Sequence, residues 1–297
     1  MNGWIKMTKP ALSKKQKGIL FIIISAFCFS LMNMFVKLAG DLPSVQKSFF
    51  RNLVALFVAA FMLRKSRLSF RWQQGNLGLL IVRAGFGTLG ILCNFYAIGQ
   101  LNLADASMLN KLSPFFVILF SFLFLKEKVT PTQTLCVIAA FIGSLFIIKP
   151  GFAFDSAFPA LLGFLGGMFA GAAYTAVRGL SLRGEKGPFI VFFFSAFSCL
   201  ATLPVILFDY TPMSLKRLFF LIMAGVSASG GQFGITAAYA NAPASEISIY
   251  DYTIVIFAGI WSFLLWDDIP DLLSVIGYIV IFGSSLTMFF YNRSRAS

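Results

Sequence analysis

Four charged side chains, Arg51, Arg83, Lys111 and Asp251, lie well inside long apolar runs of this chain. If those runs cross a bilayer, a charge near the middle of one costs about 2.5–3.5 kcal/mol on insertion scales. A polar cavity or a partner charge offsets that cost, and so does snorkelling toward the nearer membrane surface. Each residue lies ~9–10 Å from one end of its run at ~1.5 Å of rise per residue, so both arrangements stay open. Gathered around a cavity, three cations and one anion suit a solute with a carboxylate or phosphate. Asp251 adds tolerance for an ammonium or sulfonium group. Lys111 and Asp251 either meet opposite charges of that solute or pair directly as a gate.

Helical spacing adds uncharged candidates. Arg83, Gly87, Gly90 and Asn94 recur at helical steps and share one face. Gly225, Ser229, Gln232, Thr236 and Tyr239 form a second stripe. Ser30, Asn33 and Lys37 form a third, matched later in the chain by Gly171, Tyr174 and Arg178. Polar stripes on apolar helices face a bundle interior or water, not lipid. For the glycines the competing role is close helix packing, which Gly163-x-x-x-Gly167-x-x-x-Gly171 fits. The candidate binding residues are Arg51, Arg83, Asn94, Lys111, Tyr174, Gln232, Tyr250 and Asp251. Tyr250 and Tyr252 offer aromatic faces beside the carboxylate. Pro114, just beyond Lys111, removes one helical hydrogen bond and is expected to kink or hinge its helix.

The chain has no histidine, which removes the commonest general base and the commonest metal ligand together. Cys28, Cys93, Cys136 and Cys199 sit in apolar runs without metal-ligand spacing and read as small buried hydrophobes. No nucleophile motif or clustered carboxylates accompany them. No catalytic residue, metal site or cofactor is expected, and the chain is not read as an enzyme.

Ten apolar stretches must position these side chains: Gly18–Leu38, Val45–Leu63, Leu77–Ile98, Ala104–Leu125, Pro131–Ile148, Phe158–Leu180, Pro188–Phe208, Lys216–Ala240, Ala244–Trp266 and Asp271–Tyr291. A bilayer core of ~30 Å needs about 20 apolar residues per helix, and backbone in lipid must satisfy its own hydrogen bonds. The composition agrees, at 58% hydrophobic and 12% charged, against about 25% charged in an average soluble domain. A net charge of +13 raises nucleic acid as a partner, but the basic residues are dispersed between apolar runs, so none is expected. The partners are the lipid bilayer and a small-molecule solute. A homodimer and proton coupling are left open, with Asp251 and Glu246 the carboxylates placed to titrate.

Residues 1–150 reappear, weakened, in residues 151–297 at an offset of 141 positions. Lys37 meets Arg178, Gly90 meets Gly231, Ser121-Phe122-Leu123 meets Ser262-Phe263-Leu264, and Glu127 meets Asp268. Asn110, beside Lys111, meets Asp251. Each copy holds five stretches, an odd number, so the second inserts upside down relative to the first. The predicted fold is therefore an all-α integral membrane protein of ten transmembrane helices in two inverted five-helix repeats, joined by a linker at Lys149–Ala157. The first stretch follows Lys14, Lys15 and Lys17 like a signal peptide, but its length and its place in the repeat mark it as retained. With both termini in the cytoplasm, inner segments carry 16 of the 24 basic residues, which obeys the positive-inside rule.

Ser113-Pro114-Phe115-Phe116 running into Phe124-Leu125-Lys126-Glu127-Lys128, then Gly143, resembles the drug/metabolite transporter superfamily in its EamA-like group. The second copy keeps Trp266-Asp267-Asp268 but has Val255 where the first has Pro114. The resemblance implies an inner-membrane carrier whose central cavity is lined by helices one, three, four, six, eight and nine. It also implies that Glu127 is structural. Phe49-Phe50-Arg51 and Val82-Arg83-Ala84-Gly85 resemble a branch that includes predicted S-adenosylmethionine carriers, although Asp251 stands where that branch often has a basic residue. The expected function is alternating-access transport, export included, of an amino acid or related zwitterionic or anionic solute. Uptake of an S-adenosylmethionine-type nucleoside metabolite and a channel-like facilitator are the alternatives.

Overall fold

The computed structural model describes residues 12–100, 109–148, 157–266 and 269–295. Within them every regular element is a helix. Eight helices are long and apolar enough to cross a membrane, and two shorter apolar helices accompany them. The chain is a multi-pass membrane protein.

The helices are α1 (Lys14–Leu38), α2 (Ser44–Lys65), α3 (Leu77–Gln100), α4 (Ser113–Leu125) and α5 (Pro131–Ile148). The second series is α6 (Ala157–Leu182), α7 (Gly187–Phe208), α8 (Leu215–Asn241), α9 (Thr253–Trp266) and α10 (Leu272–Ser294). Local chemistry sets their starts. Ser13 and Gln16 form a capping box on α1, the Ser214 side chain accepts from Arg217 N on α8, and Asp271 accepts from Ser274 N on α10; each satisfies amide groups that have no helical partner. Most observed bounds lie within a few residues of the predicted spans.

The fourth and ninth crossings depart from simple helices. Leu109–Asn110 is helical, Lys111–Leu112 is a turn, and α4 starts only at Ser113. Pro114 therefore occupies the first turn of α4, where its missing N–H costs nothing, and the break lies before it. The ninth crossing runs through a helical turn, Ala244–Ile247, and a 3₁₀ turn, Ser248–Tyr252, before α9 begins. Asp251 sits in that 3₁₀ turn. The predicted start of the fourth span at Ala104, most of the Lys149–Ala157 linker, and Asp267 and Asp268 lie outside the described residues.

Packing is organised by two close crossings, α1 on α8 and α3 on α6, with α2 against α7 and α5 against α10. Glycines allow the approach. A Cβ on Gly90 would meet the backbone of Gly166 and Ala170, and one on Gly234 would meet Phe21 O and Ser25. The Gly163, Gly167 and Gly171 stripe faces Leu109 and Phe116 on the fourth crossing, so these glycines serve packing. Large apolar side chains such as Phe57, Phe124, Leu200 and Phe282 cover the outside, as a lipid-facing surface requires. Lys15 Nζ lies 3.1 Å from Asn292 O, so α1 begins where α10 ends, on one common face.

Candidate functional site

A chamber of about 130 Å³ lies between the helices where the two breaks meet. It is continuous in its lining with an outer chamber of about 540 Å³, and the two share Asn33, Asn94, Phe95, Asn110, Lys111 and Ile254. The outer chamber is bordered by the end of α1 (Lys37), the α1–α2 loop (Gly40, Asp41) and the start of α2 (Ser44, Lys47). It therefore opens on the face opposite the shared face of the chain ends. Together the chambers reach the roughly 300–1,000 Å³ of ordinary small-molecule sites.

The broken crossings place the central charges. Lys111 Nζ lies 3.8 Å from Asp251 Oδ2, with the two side chains only 11% and 15% exposed. That spacing is about 1 Å longer than an ordinary charge-assisted hydrogen bond. Tyr252 donates to Lys111 O at 3.0 Å, and these two residues are 141 positions apart. Both helices are interrupted at this depth, which is tolerated where a break lines a wet cavity or is buried in protein.

Behind the pair lie two arginines. Arg83 and Arg51 are 2% and 3% exposed and both line the inner chamber. Arg83 Nη2 donates to Gln232 Oε1 at 2.8 Å, and its guanidinium lies over the Phe194 ring at 4.1 Å. The stack holds the planar group still and contributes a cation–π attraction. Gly87, one turn along α3, leaves the space the guanidinium fills: a Cβ there would collide with Arg83 Nη1 and the Phe194 ring. We expect Gly87→Ala to displace Arg83 and lower transport by at least about tenfold, as a misplaced binding group does. The check is uptake into proteoliposomes, with unchanged elution on size exclusion as the folding control.

Of the sequence candidates, Arg51, Arg83, Asn94, Lys111, Tyr174, Gln232 and Asp251 all line the inner chamber. Tyr250 does not. It is 5% exposed and donates to Ser285 O on α10. A 3₁₀ turn rotates each successive residue by about a third of a circle, so Tyr250, Asp251 and Tyr252 diverge toward α10, the chamber and Lys111. The aromatic pair expected to flank the carboxylate is thus corrected. All four members of the α3 stripe line the chamber, whereas on α8 only Gln232 does; Ser229 bonds to Gly225 O. The lining also includes α2 through Arg51, which the residue reading selects although the family resemblance leaves that helix out, and α7 through Phe194, a helix neither reading names. Asn33 stood in a stripe without being chosen, and Trp261, which donates to Ser30 Oγ at 3.0 Å, carried no sequence signal.

Polar clusters cross the opposite face of the bundle. Arg178 Nε meets Glu127 Oε1 at 2.7 Å and Arg178 Nη1 donates to Tyr239 O at 2.9 Å. Ala244 N donates to Glu127 Oε2 at 3.1 Å. Lys126, in the left-handed conformation at φ 55°, ends α4 and turns the following Glu127 toward this cluster. Lys15 pairs with Glu246 at 3.0 Å, and Gln133 donates to Asn292 Oδ1 at 3.1 Å.

A polar, charge-lined chamber at the centre of a helical membrane bundle, open at one face and with ion pairs across the other, defines a solute-carrier architecture. The chain belongs to the EamA-like transporter family, whose model matches residues 16–149 and again 157–290; it is a membrane transporter. It is 34% identical to the pseudopaline exporter CntI of Pseudomonas aeruginosa over 90% of this chain and 93% of the exporter. It is 29% identical to human solute carrier family 35 member G1 over 94% of this chain and 81% of that protein. A riboflavin transporter of Brucella anthropi is 26% identical over 89% of this chain and 95% of the transporter. The family and these relatives are transporters rather than enzymes. A solved crystal structure superposes with a TM-score of 0.81 over 95% of this chain and 100% of that one at 14% identity, a likeness of fold.

Proposed function

We propose that this chain is a secondary transporter that moves an amino acid or a related zwitterionic or anionic organic solute across the cytoplasmic membrane by alternating access. The observation that carries the reading is the loose Lys111–Asp251 pair at the meeting point of two broken crossings. One charge of the pair is placed for a carboxylate and the other for an ammonium. An unbroken α-helix pairs its amide and carbonyl groups internally, whereas discontinuous helices in carriers point helix ends at the bound solute.

Two inverted halves, residues 1–150 and 151–297, supply the motion. The contact pattern supports them: under the 141-residue offset the α1–α8 crossing exchanges with α6–α3, α2–α8 with α7–α3, and α4–α6 with α9–α1. The pairs α2–α7 and α5–α10 map onto themselves. Rocking of one such half against the other around a fixed central site is how inverted-repeat carriers alternate access. With the chain ends in the cytoplasm, as the basic residues favour, the chamber opens outward in this conformation and the Arg178–Glu127 cluster closes the inner side. A closed side supports a carrier over a channel-like facilitator. The carboxylates available for proton coupling, Asp251 and Glu246, each face an ammonium group, which supports exchange of solutes. The similarity to an exporter supports outward transport in the cell.

Thermal-shift screening of the purified protein against a metabolite panel tests the reading. Amino acids or amino-acid conjugates are expected to raise the apparent melting temperature, because a ligand that binds only the folded state stabilises it; at 100 times its Kd the gain is ~2.7 kcal/mol. Stabilisation by neutral hydrophobic drugs alone sinks the zwitterion assignment. Saturable counterflow in proteoliposomes is the matching functional result, and ohmic single-channel current is the opposing one.

A further inference from the structure

The charges of the chamber are ordered by depth. Lys111 lines both chambers and so stands at the throat, whereas Arg51, Arg83 and Asp251 line only the inner one. Asp251 is matched by Lys111 at 3.8 Å. The two arginines have no such match: no carboxylate besides Asp251 lines the inner chamber among the described residues. Arg51 Nε and Arg83 Nε are buried without any hydrogen-bond partner. A buried, unanswered guanidinium is costly, and a second one beside it compounds the cost.

Snorkelling does not explain them. Arg83 is held in place by Gln232 and stacked on Phe194, and the Gly87 gap accommodates its terminal nitrogen. Both side chains are almost fully buried inside the bundle. A fixed guanidinium plane presents parallel N–H donors that match a carboxylate.

We propose that Arg51 and Arg83 form a second anion subsite at the chamber floor, so that the preferred solute is an amino acid whose side chain ends in a carboxylate. This rests on the amino-acid reading above. The α-carboxylate and α-ammonium sit at Lys111 and Asp251, and the side-chain carboxylate reaches down to the arginines. Three cations and one anion in the wall then face two anions and one cation on the solute. A neutral side chain of the same length leaves the guanidinium groups unanswered.

The test is binding of L-aspartate, L-glutamate and L-2-aminoadipate against L-asparagine, L-glutamine and L-norleucine, by thermal shift and by competition in counterflow. The wild-type protein is expected to bind the best acid about 10- to 100-fold more tightly than its neutral partner, as charge-assisted hydrogen bonds do. In Arg51→Gln and in Arg83→Gln that preference falls below about threefold, the acid losing more affinity than the neutral amino acid, and elution as a single species on size exclusion reports folding. If either variant does not fold, the wild-type comparison of acid with amide decides alone. Equal binding of acid and amide overturns the floor subsite and leaves the amino-acid reading standing. Binding of none of the series overturns both. Tighter binding of O-phospho-L-serine than of every dicarboxylate overturns the carboxylate assignment in favour of a phosphate.

Discussion

Lys111→Gln and Asp251→Asn are each expected to reduce counterflow to background while the protein still inserts and elutes as a single species. Either change strands the remaining charge among mostly buried groups, and breaking a buried pair from one side costs about 3–5 kcal/mol. Part of that cost falls on binding, because the proposed site uses the group removed. The charge swap, Lys111→Asp with Asp251→Lys, separates two roles. A pair that serves only as a structural tie recovers transport when swapped, since the 3.8 Å approach is indifferent to direction. A pair that reads the solute does not, because carboxylate and ammonium would then meet like charges. We expect no recovery. Uptake at wild-type rate in both single variants would remove the central pair from the mechanism.

The second large effect concerns the closed face. Glu127→Gln is expected to open it. The Glu127 carboxylate is the anion facing Arg178, and the cluster joins α4, α6, the end of α8 and the segment before α9. All of its members are absent from the chamber lining, so the variant changes the balance of conformations without touching the binding residues. Removing one partner costs the closed arrangement about 3–5 kcal/mol, against ~5.5 kcal/mol for a full reversal from 1:99 to 99:1. The shift is therefore large but incomplete. Two reporters read it in a background with the four native cysteines replaced. Ala258→Cys lines the open chamber and should lose reactivity toward an impermeant thiol reagent. Ser245→Cys, 2% exposed in this conformation, should gain it from the other side. Unchanged labelling at both positions would mean that the cluster only supports the fold.

The site residues divide by how unusual each looks in its surroundings. Arg51, Arg83, Lys111 and Asp251 were legible because a charge inside an apolar run is anomalous whatever the fold. Asn94 and Gln232 were legible through helical spacing. Phe194 was not: one phenylalanine among 37 carries no mark until Arg83 is found against its ring. Tyr250 misled because adjacency to Asp251 suggests a shared direction, and a 3₁₀ turn denies it. Pro114 pointed to the right crossing but to the wrong residue for the break, which falls at Lys111–Leu112.

Apolar run length, the repeat and the positions of isolated charges are properties of the chain read in order, and lipid imposes one answer on them: helices, with the charges turned inward. Which inward faces meet is a different matter, because it depends on close contacts between residues far apart in the chain. Gly90 against Gly166 and Gly234 against Phe21 set the close crossings, and only the packed bundle places Phe194 of α7 in the chamber wall. The open and closed faces also belong to the tertiary structure alone. They depend on contacts such as Arg178 with Glu127, 51 residues apart, whose pairing no local pattern encodes.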